Sequence, residues 1–233
     1  IRRIVTDSDL DGVVTAAILR RWWPEAEVVF GHPGELRAGL LDGHIDRHTA
    51  VCDLPRHPDC GLSIDHHQSN APGEDEDGGV VIIWRGTPSA ARIAYDLLKG
   101  EVDLSDLEDM LVWVDKLDGG GIDREEFRSD HPVIWLGRVV DIESGIANHI
   151  LEALQHGVSV DDVLSDPAVA PALKHRRARQ AEIDSAIAES THVVDRLAIV
   201  RLEDRNMRSN GYHVTALVGE DCDACLIVHG DVG

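Results

Sequence analysis

The sequence has few aromatic side chains and no long apolar runs. Aromatic residues make up 4% of its 233 residues, so the core must be built mainly from Val, Ile, Leu and Ala, within a hydrophobic content of 43%. No apolar run approaches the roughly 20 residues that cross a bilayer. We therefore expect a cytoplasmic globular protein with neither a secretory leader nor a membrane partner.

Cysteine is also scarce, and its spacing does not indicate a framework of disulfides. Cys222 and Cys225 form a single CxxC pair, whereas a structural zinc site of this kind needs a second pair. Cys52 and Cys60 lie far from that pair in the sequence. We expect reduced, buried thiols.

Positive charge is the third shortage. The chain has 22 Lys and Arg against 43 Asp and Glu, a formal net charge of -21, and only 3 of the basic residues are Lys. Phosphate repulsion therefore excludes binding of a long nucleic-acid duplex through a general basic face. Abundant Asp with little Lys is typical of a halophile-like protein that works in concentrated salt, although an ordinary acidic cytoplasmic protein is the alternative.

Short apolar runs alternate with helical patterns over the first 120 residues. Strands are predicted at residues 4–5, 27–30, 50–52, 62–64 and 80–84. Helices are predicted at residues 13–23, 36–41, 87–98 and 105–117. This alternation indicates the α/β class, with a parallel sheet flanked by helices.

The pattern changes in the second half of the chain. Residues 133–157 are mixed and helical toward their end, 172–194 predict one long polar helix, and 197–202, 212–218 and 224–228 predict strands. Prolines punctuate a linker near residues 158–172, and the acidic stretch 72–79 predicts a solvated loop. We expect a catalytic domain over residues 1–160, a linker helix region over 161–195 and a smaller C-terminal α+β domain over 196–233, present here in part.

Acidic residues cluster where the predicted strands end. Asp7, Asp9 and Asp11 follow the first strand, Asp53 follows the third, and Asp65-His66-His67 follows the fourth. Asp115 and Asp118 lie near the end of a later helix. The first group begins like a calcium-binding loop but lacks the Glu that such loops have at the twelfth position. The alternative to a metal role is that these carboxylates only stabilise the N-terminus of the following helix.

Taken together, these residues indicate a metal site, because carboxylates crowded into one cleft need a compensating cation to stay ionised. Asp with one or two His suits manganese or magnesium. Two such ions about 3.5–4 Å apart form the usual clamp for hydrolysis at phosphorus. The residues alone therefore predict a two-metal phosphoesterase.

Three motifs in the same order resemble those of the DHH phosphoesterases, which include RecJ-type exonucleases, nano-RNA and cyclic-dinucleotide phosphodiesterases, and exopolyphosphatase-related enzymes. They are Asp7 to Gly12, Cys52-Asp53 and Asp65-His66-His67, and the resemblance covers about residues 1–120. It implies that Asp53, His66, His67 and Asp65 are catalytic, with two Mn²⁺ ions, or Mg²⁺ in their place.

The resemblance also implies a ligand for each ion. Asp7 and Asp9 would hold one metal, Asp11 and His66 the other, and Asp53 would bridge both. His67 would face the substrate phosphate, with Asp65 orienting the pair of histidines from behind. Asp115 and Asp118 both fit the fourth motif, and we expect one of them to bind metal. The Gly-rich substrate motif of many family members, near Gly-Gly-Gly-His, is not found after residue 195.

The sequence thus favours hydrolysis of phosphodiester bonds in short oligonucleotides or small, including cyclic, nucleotides. Hydrolysis of pyrophosphate or short polyphosphate is the first alternative, and a non-catalytic metal- or nucleotide-binding protein is the second. We expect a small phosphorylated substrate or short oligonucleotide and no long duplex nucleic acid. A homodimer is one oligomeric state that the sequence allows.

Salt should stabilise this protein if its acidic surface is an adaptation to concentrated salt. Screening of the repulsion between carboxylates should raise the melting temperature as potassium chloride increases from low to molar concentration. Thermal unfolding followed by circular dichroism measures the change. A melting temperature that stays flat or falls over this range contradicts the halophile-like interpretation.

Overall fold

The computed structural model describes residues 1–73, 79–140, 144–205 and 207–230. Its strands are β1 (Arg3–Asp7), β2 (Glu27–Gly31), β3 (Thr49–Cys52), β4 (Leu62–Asp65), β5 (Val81–Trp84), β6 (Thr191–Val194), β7 (Leu197–Arg201) and β8 (Ala224–Val228). Its helices are α1 (Leu10–Trp22), α2 (Pro33–Arg37), α3 (Ala90–Leu98), α4 (Glu108–Asp118), α5 (Arg124–Arg128), α6 (Pro132–Val140), α7 (Ser144–Gln155), α8 (Val160–Ser165), α9 (Ala170–Ser190) and α10 (Gly211–Val218). The chain forms two compact units, Ile1–Gly121 with Pro132–Ala170 and Ile122–His131 with Pro171–Gly233.

A five-stranded parallel sheet organises the first unit. The strand order is β2-β1-β3-β4-β5, and every neighbouring pair is parallel. Helix α1 is buried from Leu10 to Leu19, because it packs on β1 and also contacts α3 and α7. On the opposite face of the sheet, Val5 and Val51 pack in a cluster with Leu36 and Leu41. Helices on both faces are what a parallel sheet requires, since both of its faces are apolar.

The second unit is smaller and contains a three-stranded mixed sheet. β6 and β7 are antiparallel, whereas β7 and β8 are parallel. Ala198 and Val200 of β7 are fully buried, and they pack in a cluster with Ile187 of α9 and Val214 of α10. The predicted fold class, a parallel sheet flanked by helices with a smaller C-terminal α+β part, is confirmed.

Three predicted elements were wrong in type or position. Residues 212–218 form α10 rather than a strand, because the Asn210 side chain accepts a hydrogen bond from His213 N and caps a helix. The last residues of the predicted long helix form β6, which pairs with β7. The helix predicted at 36–41 lies earlier, over Pro33–Arg37, because Pro33 and a capping box between His32 and Glu35 begin it.

Other segments carry structure that the sequence pattern did not predict. Within the linker predicted near residues 158–172, α8 forms and buries Val163 and Leu164. Helix α5 was also not predicted. The centre of the predicted acidic loop, residues 74–78, lies outside the described residues. The domain limits at residues 160 and 195 stay predictions.

Within the described part of the chain, we find no helix whose length and hydropathy would allow it to cross a bilayer.

Gly12, in the first turn of α1, should be irreplaceable for stability. A Cβ atom at this position would lie 2.1 Å from the Asp7 carbonyl oxygen, so Gly12→Ala must displace the backbone of the turn. We expect a loss of about 1–3 kcal/mol in the free energy of unfolding, measured by urea denaturation. Gly34→Ala in α2 is the matched control, because nothing lies within 4 Å of its Cβ position. Equal effects of the two substitutions would show that the close approach at Gly12 has no cost.

Candidate metal centre

The candidate residues meet at one edge of the parallel sheet. β3 lies between β1 and β4, and all three run in the same direction. Their carboxyl ends carry Asp7, Asp53 and Asp65 respectively. Ligands of parallel α/β sheets bind at this edge, because the loops after neighbouring strands converge there.

The turn after β1 sends its three carboxylates in different directions. Asp7 Oδ1 accepts a hydrogen bond from Ser8 N at 2.6 Å and lies 3.2 Å from His32 Nδ1. Asp9 is the N-cap of α1, and its Oδ1 accepts a hydrogen bond from Gly12 N at 2.9 Å. Asp11 points into the protein. The helix-cap role considered from the sequence therefore applies to Asp9, but it does not explain Asp11.

Asp11 is buried against the N-terminus of α3. Its two carboxylate oxygens accept hydrogen bonds from Ala90 N at 2.7 Å and Ala91 N at 2.8 Å. Such backbone donors favour the ionised carboxylate. Burial, and after it the negative charges of Asp118 and Asp9, nevertheless raise the pKa of Asp11 to about 7. The balance shows a carboxylate that lacks a sufficient positive partner.

Asp53 follows β3 in a rarely used backbone conformation. Its φ angle is +54°, in the left-handed region that few residues other than Gly adopt, and its backbone N–H donates to the Ile64 carbonyl at 2.9 Å. The side chain is 1% exposed. Burial is the largest cause that raises the pKa of Asp53 well above its usual value, followed by the charge of Asp11. Strained positions of this kind concentrate at functional sites.

The imidazole of His66 is the centre of the cluster. Its Nε2 atom lies 2.9 Å from Asp118 Oδ2, 3.5 Å from Asp53 Oδ1 and 3.7 Å from Asp11 Oδ2. Its Nδ1 atom lies 3.1 Å from the Thr87 carbonyl, which can only accept, so Nδ1 carries the proton. A histidine fixed in this way presents Nε2 to a metal. Burial opposes a charged ring, but contacts with Asp118 and Asp53 outweigh it and raise the pKa of His66 to about 11.

Two buried atoms of this cluster have no hydrogen-bond partner. They are His66 Nε2 and Asp53 Oδ1, which find no donor or acceptor of suitable geometry among the described residues. Ligand atoms of Asp11, His66 and Asp118 lie within 4.8 Å of one another, and so do those of Asp53, His66 and His67. Carboxylate and imidazole donors suit manganese or magnesium. The residues therefore fit a divalent metal ion.

His67 sits at the open side of the cluster and is held by Asp65. The Asp65 Oδ1 atom lies 2.9 Å from His67 Nδ1 and also accepts from the backbone N–H groups of His66 and His67. Burial acts to raise the pKa of Asp65, but the hydrogen bonds from His67 and Asn70 outweigh burial and lower this pKa. The hydrogen bond with Asp65 raises the pKa of His67, whose side chain is 45% exposed.

The structure separates the two carboxylates at the end of α4. Asp118 lies beside His66, as described above. Asp115 instead accepts hydrogen bonds from Ser89 Oγ at 2.7 Å and from Arg92 Nε at 2.9 Å. An Arg and a hydroxyl already satisfy Asp115, so only Asp118 is directed at the cluster.

Sequence reasoning did not identify His32. This residue directly follows β2, and its Nδ1 atom lies 3.2 Å from Asp7 Oδ1 and 3.3 Å from Ser8 Oγ. The criterion that identified the other residues, a chemically active side chain after a strand, also applies to it. His32 was missed because only strand ends followed by carboxylates were considered.

No protein-family model and no curated protein matches the chain. Among solved structures, an uncharacterized protein from Helicobacter pylori G27 matches 85% of this chain and 74% of its own, with 11% identity and a TM-score of 0.40. The pGpG-specific phosphodiesterase PggH from Vibrio cholerae matches 97% of this chain and 77% of its own, with 23% identity and a TM-score of 0.78. The likeness to PggH shows that the two proteins share a fold.

Proposed function

We propose that this protein is a metal-dependent phosphodiesterase that hydrolyses small nucleotides, with a linear dinucleotide such as pGpG as its substrate. The observation that carries the proposal is the group of three carboxylates around His66 Nε2, of which Asp11 and Asp53 are buried. Two buried atoms of this group, His66 Nε2 and Asp53 Oδ1, have no hydrogen bond of suitable geometry among the described residues. The shared fold with PggH, a pGpG-specific phosphodiesterase, supports the choice of substrate class. The net charge of -21 favours a short substrate over a long polyanion.

We propose two Mn²⁺ ions, with Mg²⁺ as the alternative metal. Asp11, His66 and Asp118 would hold one ion, Asp7 and Asp9 would supply ligands for the other, and Asp53 would bridge them. The charges of Asp9 and Asp11 both act on Asp53, which supports a common site. Bound ions would neutralise the substrate phosphate and activate water for attack.

The remaining residues would position the substrate and the ligands. His67 is partly exposed, and its raised pKa favours the cationic ring, so it would contact a phosphate oxygen. Asp65 would hold the His67 ring through Nδ1. Asp115 would act through Arg92 and Ser89 as a positioning residue, without touching metal or substrate.

Manganese should stabilise the protein through Asp118 and not through Asp115. Binding to the folded state alone raises the melting temperature by mass action. We expect Asp118→Asn to reduce this rise by more than half, because it removes a charged ligand beside His66. Asp115→Asn, three residues earlier on the same helix, should lower the starting melting temperature but keep most of the rise, because the Asn oxygen can still accept from Ser89 or Arg92 and so hold α4 in place. The measurement is a thermal-shift titration with MnCl₂ in chelator-treated buffer.

A manganese response that is lost in Asp115→Asn and kept in Asp118→Asn would reverse this assignment. A wild-type protein that does not respond to manganese or magnesium at all would show that the cluster is not a metal site.

Hydrolysis should depend on Asp53. We expect Asp53→Asn to lower kcat for pGpG by at least roughly a thousandfold, about 4 kcal/mol of barrier, because the proposed bridge between the ions is lost. Asp59 is an exposed carboxylate in the same connection from β3 to β4, and the control Asp59→Asn should keep wild-type turnover. The assay follows product by chromatography, on a panel of pGpG, a cyclic dinucleotide, pyrophosphate and bis-p-nitrophenyl phosphate. Wild-type turnover in Asp53→Asn would contradict the metal mechanism, and hydrolysis of pyrophosphate alone would contradict the substrate class.

A further inference from the structure

A pocket of about 250 Å³ adjoins the candidate metal centre within the first unit. Its walls include Arg56, Ser63, Asp65, Asn70, Ile82 and Trp84. The proposed mechanism uses only Asp65 of these residues.

The pocket lies on a face of the sheet that no helix of the described residues covers at this end. Ser63 of β4 pairs with Ile82 of β5, and Asp65 pairs with Trp84, so all four side chains lie on one face. Further along the sheet, the cluster that contains Leu36 and Leu41 covers this face. In the described part of the connection from β4 to β5, the turn Gln68–Asn70 is the only regular element, and no helix replaces that cover.

The lining combines a flat apolar ring with polar groups. The Trp84 indole is fixed because its Nε1 donates to the His67 carbonyl at 2.9 Å. Ser63 is 3% exposed, and it forms part of the pocket wall. A hydroxyl can both donate and accept a hydrogen bond, so Ser63 suits a polar group of a ligand. Arg56 adds a cation to the rim.

Two contacts connect the pocket to the candidate metal centre. Asp65 forms part of the pocket wall and also lies 2.9 Å from His67 Nδ1. The Trp84 indole is bound to the backbone of the same histidine. A group bound in the pocket would therefore be separated only by Asp65 from a phosphate bound at His67.

We infer that this pocket binds a nucleobase of the dinucleotide substrate, which stacks on Trp84 while Ser63 and Arg56 contact its polar edge. The inference rests on the proposed function. Aromatic side chains bind unpaired bases by stacking, and hydrogen bonds to the base edge then select the base. Because Arg pairs best with the O6 and N7 acceptors of guanine, the pocket favours guanine over the other bases.

Kinetics on two substrates test the inference. Trp84→Leu should lower kcat/KM for pGpG by roughly 5- to 150-fold more than for bis-p-nitrophenyl phosphate, which has no base. Most of that difference should be in KM. Trp84→Phe loses the Nε1 donor but retains a ring that can stack on a base. It should therefore keep most of the kcat/KM for pGpG that Trp84→Leu loses. Trp22→Leu removes an exposed indole at the opposite end of the sheet, and it should leave kcat/KM unchanged for both substrates.

A binding measurement without metal gives a second, independent result. GMP added to the wild-type protein in chelator-treated buffer should quench tryptophan fluorescence saturably, and AMP should do so more weakly. Trp84→Phe should lose this quenching, whereas Trp22→Leu should keep it.

The outcomes separate the inference from the proposed function. If the wild type hydrolyses both substrates and Trp84→Leu lowers kcat/KM for both by the same factor, Trp84 only positions His67 and the inference is wrong. If the wild type hydrolyses neither substrate but GMP quenches Trp84, the pocket stands and the proposed function fails. If GMP produces no quenching in the wild type, the pocket does not bind a base.

Discussion

Negative charge confined around one imidazole nitrogen is the constraint on which the rest of the site depends. Asp11, Asp53 and Asp118 approach His66 Nε2 in a buried place, where ionised carboxylates are costly unless a cation accompanies them. Among the described residues, the His66 ring, the Thr15 hydroxyl and two backbone N–H groups of α3 offset part of this charge. Those groups are insufficient, since burial and mutual repulsion still raise the pKa of Asp11 to about 7.

The strands of the first unit could be predicted from the sequence because each is a short apolar run bounded by polar or turn residues. The predicted strand at 62–64, for example, differs from β4 by one residue. The smaller unit was less predictable. Residues 212–218 contain Val214, Leu217 and Val218, an apolar run that fits a strand or a buried helix equally well by its period. The Asn210 cap decides between them, and its effect depends on the local backbone rather than on the pattern.

Most candidate residues could be predicted because they directly follow predicted strands. The loops after neighbouring parallel strands lie close together at one end of the sheet. The choice between Asp115 and Asp118 could not be made in this way. Residues three apart on a helix differ in direction by only about 60°, so both carboxylates belong to one broad face. Their partners, Arg92 for Asp115 and His66 for Asp118, are distant in sequence and known only from the fold.

The N-terminus of α3 connects these observations. Ser89 caps this helix by accepting a hydrogen bond from Arg92 N, and the same hydroxyl donates to Asp115. The next two N–H groups, of Ala90 and Ala91, bind Asp11. One helix end therefore fixes the turn after β1 and also the rotation of α4 about its axis. Because Asp118 lies nearly one turn beyond Asp115, the rotation that satisfies Ser89 and Arg92 also directs Asp118 at His66. Two of the proposed metal ligands, Asp11 and Asp118, are thus positioned by a helix that contributes no proposed ligand itself.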